Sequence, residues 1–216
     1  MPDRSTPLSP RMHDLLEAAV SVVASGGLRG LTHRAVDARA GLPLGTCSAY
    51  LRTRLALQTA LAQYVADRLA DDITALSKRL AKRPGDSGYA ADQTTALFVA
   101  WLDDRDLVVA RLELSLEAAR EPALAEVFAA WREQLLDVVG ETVSRSGRAN
   151  PRAQAEATVS ALEGVLLAAL LKPPTECGTF VGDTVSTLLG ALAAYTRDSG
   201  ALNAPVPRQA LGRVPT

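Results

Sequence analysis

Residues 32–57, THRAVDARAGLPLGTCSAYLRTRLAL, read as two short helices joined by a glycine turn, and the rest of the chain is read outward from them. Thr32 is placed to cap the first helix, its hydroxyl accepting an orphan backbone N–H, with Val36 and Ala40 four residues apart on one buried face. Gly41 supplies the exit, because glycine adopts positive φ without a Cβ clash, and a second helix is expected to begin near Pro43. That second helix carries Thr46, Ser48, Tyr50, Arg52 and Arg54. An ordinary helical corner has the same Ala-Gly pattern. The pattern is also that of a helix-turn-helix, in which the second helix lies in the DNA major groove while flanking groups hold phosphates.

Charge separates the two readings. Residues 1–60 carry a net charge of +3 and the remainder −4, so the whole-chain value of −1 hides a basic head on an acidic body. A basic head suits a polyanionic partner. At 216 residues and 48% hydrophobic, the chain is long enough to bury a sizeable core. No uncharged apolar run approaches the ~18–20 residues that span a bilayer. The first residues, MPDRSTPLSP, lack the apolar stretch of a signal peptide, and the expected location is the cytoplasm, with no membrane partner. Cys47 and Cys177 are expected to be reduced, buried thiols. His13 and His33 are the only histidines, with no close-spaced ligand set, so neither a metal site nor a cofactor is expected.

Helical periodicity continues through most of the chain. Residues 11–25 place Met12, Leu15, Leu16, Ala19, Val20 and Val23 on one stripe, ended by Gly26 and Gly27. A long helix is expected from Leu55 to about Arg83, a loop at Pro84–Gly88, and a helix over Ala90–Leu102. Asp106 is the expected cap of the next helix, and Glu121-Pro122 the break before another over 123–146. Two apolar helices follow, over Pro151–Leu171 and Phe180–Arg197, separated by KPPTECG. Strand signals are almost absent, and the expected class is all-α. The Pro-containing tail from Gly200 reads as disordered.

The turn region resembles that of the TetR family of bacterial transcriptional regulators. The family pattern runs approximately LTxxxVAxxAGVSxGTxYxYFxxKxxL, against LTHRAVDARAGLPLGTCSAYLRTRLAL here, with Leu31, Thr32, Val36, Ala40, Gly41, Gly45, Thr46, Tyr50 and Leu57 matching. Arg54 replaces the usual lysine. Asp37 stands where a small alanine usually packs, Pro43 replaces a serine cap, Leu51 a phenylalanine and Ser48 a tyrosine. An aspartate buried at a helix contact is costly without a partner, and Arg34 and Arg39 are the neighbours able to offset it.

The resemblance implies about nine helices: an N-terminal three-helix DNA-binding domain over residues 1–54, an effector-binding and dimerisation domain over 55–199, and a tail over 200–216. It also implies that Thr46, Ser48 and Ala49 face bases, with Leu44 and Gly45 at the leading end, while Thr32, His33, Arg34, Tyr50, Thr53 and Arg54 hold phosphates. Residues 151–197 would form a homodimer over a double-stranded palindromic operator. The remaining helices would enclose a small, largely apolar effector, lined by Tyr64, Phe98, Trp101, Leu112, Leu116, Trp131, Leu135 and Leu166. Arg68, Glu113, Glu117 and Gln134 would serve as polar anchors. The expected role is a repressor released by its effector, with no enzymatic activity. The alternative is a helical interaction protein of the same fold that has lost operator recognition.

Overall fold

The computed structural model describes residues 8–145 and 150–198; the expected tail over 200–216 lies outside the described residues. Nine helices occur among these residues: α1 (Pro10–Gly30), α2 (His33–Arg39), α3 (Thr46–Tyr50), α4 (Arg54–Leu80), α5 (Ser87–Asp103), α6 (Arg105–Ala118), α7 (Pro122–Arg145), α8 (Pro151–Leu170) and α9 (Pro174–Asp198). The class is all-α, as the periodicity implies.

Local chemistry sets most of the boundaries. Ser9 starts α1 by accepting the Met12 N–H, and Thr32 starts α2 by accepting the Ala35 N–H at 3.1 Å. The glycines near the end of α1 kink it rather than stop it. Gly27 takes φ +63°, a further turn runs to Gly30, and Leu28 and Leu31 are buried beyond it. Thr53 caps α4 through the Ala56 N–H, and Asp86 caps α5 through the Tyr89 N–H.

Three boundaries differ from expectation. Helix α3 begins at Thr46 instead of near Pro43, because Pro43–Gly45 closes a turn in which the Thr46 N–H donates to the Pro43 carbonyl. Asp104 occupies the cap position of α6, without a side-chain bond, and Asp106 lies within the first turn. Helix α9 begins at Pro174 rather than Phe180, since proline has no N–H to lose at a first turn and Cys177 packs inward.

One hydrophobic cluster runs from Leu15, Val23 and Leu31 through Leu57, Leu61 and Leu69 of α4 to Trp101, Leu114, Leu166 and Val185. The expected division between residues 54 and 55 therefore falls inside a continuous core. Helix α1 packs on α6, α4 on α7, α5 on α9, and α8 on both α7 and α9. By length and composition alone, Pro151–Leu170 and Pro174–Ala194 are apolar enough to cross a membrane, with mean hydropathies of 1.2 and 1.3. Arg152, Glu156 and Glu163 interrupt the first and Glu176 and Asp183 the second, so neither is an uncharged run. In this fold they are bundle helices, yet only 33% and 22% of those windows are buried within the chain.

Candidate DNA-reading head and effector cavity

Asp37 organises the head. It is 1% exposed, and its two carboxylate oxygens accept the backbone N–H groups of Gly45 and Cys47, each at 2.7 Å. The expected partners, Arg34 and Arg39, are exposed and make no bond to it. The carboxylate instead satisfies donors at the start of α3, which a small alanine could not do. Gly45 sits at φ +93°, a left-handed conformation that disfavours any side chain, and this aims its N–H at Asp37.

Most of the expected DNA-contacting residues are open to solvent. Thr32, Arg34, Leu44, Gly45, Ala49, Tyr50, Thr53 and Arg54 are exposed, and Thr46 and Ser48 half-buried, with Leu44 the most exposed apolar side chain there at 70%. Several have internal partners. The Thr46 hydroxyl donates to the Pro43 carbonyl and the Ser48 hydroxyl to the Gly45 carbonyl. His33 Nε2 meets the Leu51 carbonyl, and Arg54 donates to the carbonyls of Leu28 and Leu31, tying the start of α4 to the connection after α1. Arg39 and Arg52, outside the expected set, add exposed positive charge on the flanks.

Cys47, on the inward face of α3, is fully buried. Desolvation, reinforced by the Asp37 carboxylate, pushes its thiol up to about 11. The folded protein therefore keeps this proton at pH values where the unfolded chain has lost it, and stability falls as pH rises from about 9 through 11. Urea midpoints are expected to decline over that interval, with a shallower decline in Cys47→Ala. Iodoacetamide at pH 8 is expected to label Cys47 only after unfolding; labelling of the folded chain would contradict the buried thiol.

A cavity of ≈ 180 Å³ lies in the body, lined by α4, α5, α6, α7 and α8 with Leu189 of α9. A single water needs roughly 10–15 Å³ on that measure, so the space suits a small organic molecule. Five of the expected effector residues line it: Phe98, Trp101, Trp131, Leu135 and Leu166. Ile73, Leu76 and Val108 extend the apolar wall.

The other seven lie elsewhere. Tyr64 and Arg68 join Glu17 and His13 of α1 in a cluster where the Tyr64 hydroxyl donates to Glu17 and Arg68 pairs with it at 2.8 Å. Burial, followed by the bond to Glu17, pushes Tyr64 up to about 12. Leu112 packs half-buried against the main core, and Leu116 is 66% exposed. Glu113 accepts the Leu28 N–H, Glu117 pairs with Arg120, and Gln134 opens on a second, neighbouring hollow beside Ile73 and Asp137. For the four on α6 the reason is that its buried residues Leu107, Val108, Ala110, Arg111 and Leu114 spread around the helix. Periodicity groups residues on a face but does not say which face meets the cavity.

The buried ion pair of the cavity wall is instead Arg111 with Glu163. Glu163 of α8 accepts from Arg111 with one oxygen and from Arg132 with the other, at 3.2 Å. The Arg111 guanidinium also lies over the Trp131 ring, 4.8 Å from its centroid, and burial lowers its pKa.

A three-helix head with a helix-turn-helix, continuous with a helical body around an apolar cavity, defines a one-component regulator architecture. The tetracycline repressor-like C-terminal domain model matches residues 85–195, and the chain belongs to the TetR family of transcriptional regulators. A transcriptional regulator from Rhodococcus sp. Rha1 superposes with a TM-score of 0.70 at 20% identity, covering 85% of this chain and 96% of that one. A TetR-family member from Streptomyces coelicolor A3 gives 0.66 at 29% identity, over 85% and 98%. The multidrug binding protein EbrR in complex with ethidium gives 0.60 at 28%, also over 85% and 98%. Comparison with curated proteins returns no match.

Proposed function

We propose that this chain is a cytoplasmic repressor that binds a palindromic operator as a homodimer and is released when a small, largely apolar effector enters the body cavity. The observation that carries the reading is the path from cavity to head. Arg111 lines the cavity, and two residues along the same helix Glu113 accepts the N–H of Leu28 at 3.3 Å. The carbonyl of Leu28 accepts from Arg54, which opens α4 beside the reading helix. A shift of α6 on effector binding is thus felt at the backbone residue that anchors the head. Release is limited to the effector's differential affinity for the two arrangements.

Dimerisation is supported by the outward faces of α8 and α9. Ala153, Ala157, Ser160, Gly164, Leu167 and Leu171 form an exposed stripe at helical spacing, with Leu171 83% exposed. Small residues allow a mate's helices to approach closely, and a two-fold dimer presents two heads to a palindrome. EbrR, which binds ethidium in the same fold, supports an aromatic or apolar effector class.

The direct test is selection of the full chain against random duplex DNA at stated, moderate salt, together with its sedimentation mass. Enrichment of a palindrome with half-sites about one helical turn apart, and a dimer mass, are expected. A folded dimer that enriches no sequence would favour the interaction-protein reading; a monomer at all concentrations would remove the dimer. Glu113→Ala is expected to keep operator affinity while raising the effector concentration needed for release by about tenfold, given coupling terms of roughly 0.5–2 kcal/mol along such routes. Normal release from this variant would discard the Glu113 route.

A further inference from the structure

The cavity wall holds two hydrogen-bond donors that the protein does not use. Arg111 is 8% and Trp131 7% exposed, and both line the cavity. Neither Nε of Arg111 nor Nε1 of Trp131 has a hydrogen-bond partner. Such groups are costly to bury unpaired, and both belong to one stacked pair with the guanidinium over the indole ring. The remaining indole makes a contrast: Trp101, also in the lining, donates Nε1 to Asp72 at 2.8 Å.

The charge balance has the same sense. Both oxygens of Glu163 are already engaged, one by Arg111 and one by Arg132, so this carboxylate is shared between two guanidinium groups. Of the lining arginines, Arg83 and Arg145 are exposed and Arg145 pairs with Glu141, so the local excess of one positive charge comes from Arg111 and Arg132 against the single carboxylate of Glu163. Two lining residues thus carry uncommitted donors, the local charge is positive by one, and the walls are mostly apolar and aromatic. A cation would face Arg111 without an uncommitted carboxylate oxygen on Glu163 to receive it.

Resting on the effector reading above, we propose that the cavity selects an apolar or aromatic carboxylate whose oxygens accept from Arg111 Nε and Trp131 Nε1 while its hydrocarbon lies against Phe98, Leu135 and Leu166. Charge-assisted bonds of this kind distinguish an acid from an isosteric alcohol or amine, whereas apolar contacts alone do not. Selectivity thus resides in one arginine and one indole, and affinity in the apolar wall.

The test uses three probes of matched shape: naphthoate, naphthylmethanol and naphthylmethylammonium, titrated into the DNA-free full chain at pH 7.5. Calorimetry gives affinity, and Trp101 and Trp131, the only two tryptophans, give a fluorescence signal local to the cavity. Naphthoate is expected to bind at least about tenfold more tightly than the alcohol, and the ammonium probe more weakly than either. Trp131→Phe keeps an aromatic face while removing the five-membered ring with its N–H donor, and is expected to weaken naphthoate by about threefold to tenfold with the alcohol affected much less. Arg111→Gln is expected to abolish the preference, with unfolding curves checking its fold. If the alcohol or the ammonium probe binds as well as naphthoate, the carboxylate assignment fails while the cavity reading stands. If Trp131→Phe shifts all three probes equally, the indole is only packing and the assignment likewise fails. If the folded wild-type protein binds none of them at millimolar concentration, the effector reading fails and the assignment with it.

Discussion

Replacing Asp37 with alanine is expected to remove about 3 kcal/mol from the stability of the head, through loss of two bonds to a charged group, each of ~1.5–3 kcal/mol and partly compensated by water entry. Operator affinity is expected to fall by about 10- to 100-fold, because binding is reduced by the fraction of molecules that retain an ordered α3. The carboxylate is buried and holds the Gly45 and Cys47 N–H groups at 2.7 Å, and alanine would leave both donors without that acceptor, the Cys47 N–H in a buried setting. Asparagine keeps one acceptor oxygen and is expected to cost roughly half as much. Hydrogen exchange at the Gly45 and Cys47 amides separates local loss from global loss. Unchanged protection of both amides in Asp37→Ala would refute the capping role.

Glu163→Ala carries the second large effect. Breaking a buried ion pair by removing one partner costs about 3–5 kcal/mol, and the partial exposure of Glu163, 31% for its side chain, reduces the expectation to about 2–4 kcal/mol. The loss falls on Arg111, whose side chain is only 10% exposed and which would keep its charge beside Trp131 without a counter-ion. The paired replacement Arg111→Met with Glu163→Leu is expected to recover most of that stability, since apolar residues of similar volume often replace buried pairs without loss. Urea midpoints of the wild type, Glu163→Ala and the double variant decide it. A double variant as unstable as Glu163→Ala would mean that packing around Glu163, and not the stranded charge, sets the cost.

The legible parts of the fold were those with a local chemical signature. Thr32 capping α2, the positive-φ exit at Gly41 and the apolar stripe of α1 each follow from a few neighbouring residues, and each is present. Asp37 was read as a burial cost because its compensation comes from backbone N–H groups eight and ten positions away, which no side-chain pattern announces. Apolar and aromatic members of the cavity were found for the same reason that core residues are found. Arg111 and Glu163 were missed because they sit 52 positions apart and meet only in the folded bundle. A signal was available, since Glu163 is the one charge within VSALEGVLLAALL, where solvation alone does not explain it.

The kinked end of α1 has a consequence for exchanging parts between relatives. Leu28 is gripped from both directions, its N–H by Glu113 of the body and its carbonyl by Arg54 at the root of α4. A chimaera that takes residues 1–54 from here and the body from a relative inherits Leu28 and Arg54 but not Glu113. Such a hybrid would read this chain's operator while deaf to its new body's effector, unless the donor body brings an acceptor to the same backbone amide. Under the proposed function, operator specificity and responsiveness would therefore be separately heritable, with one hydrogen bond marking where they part.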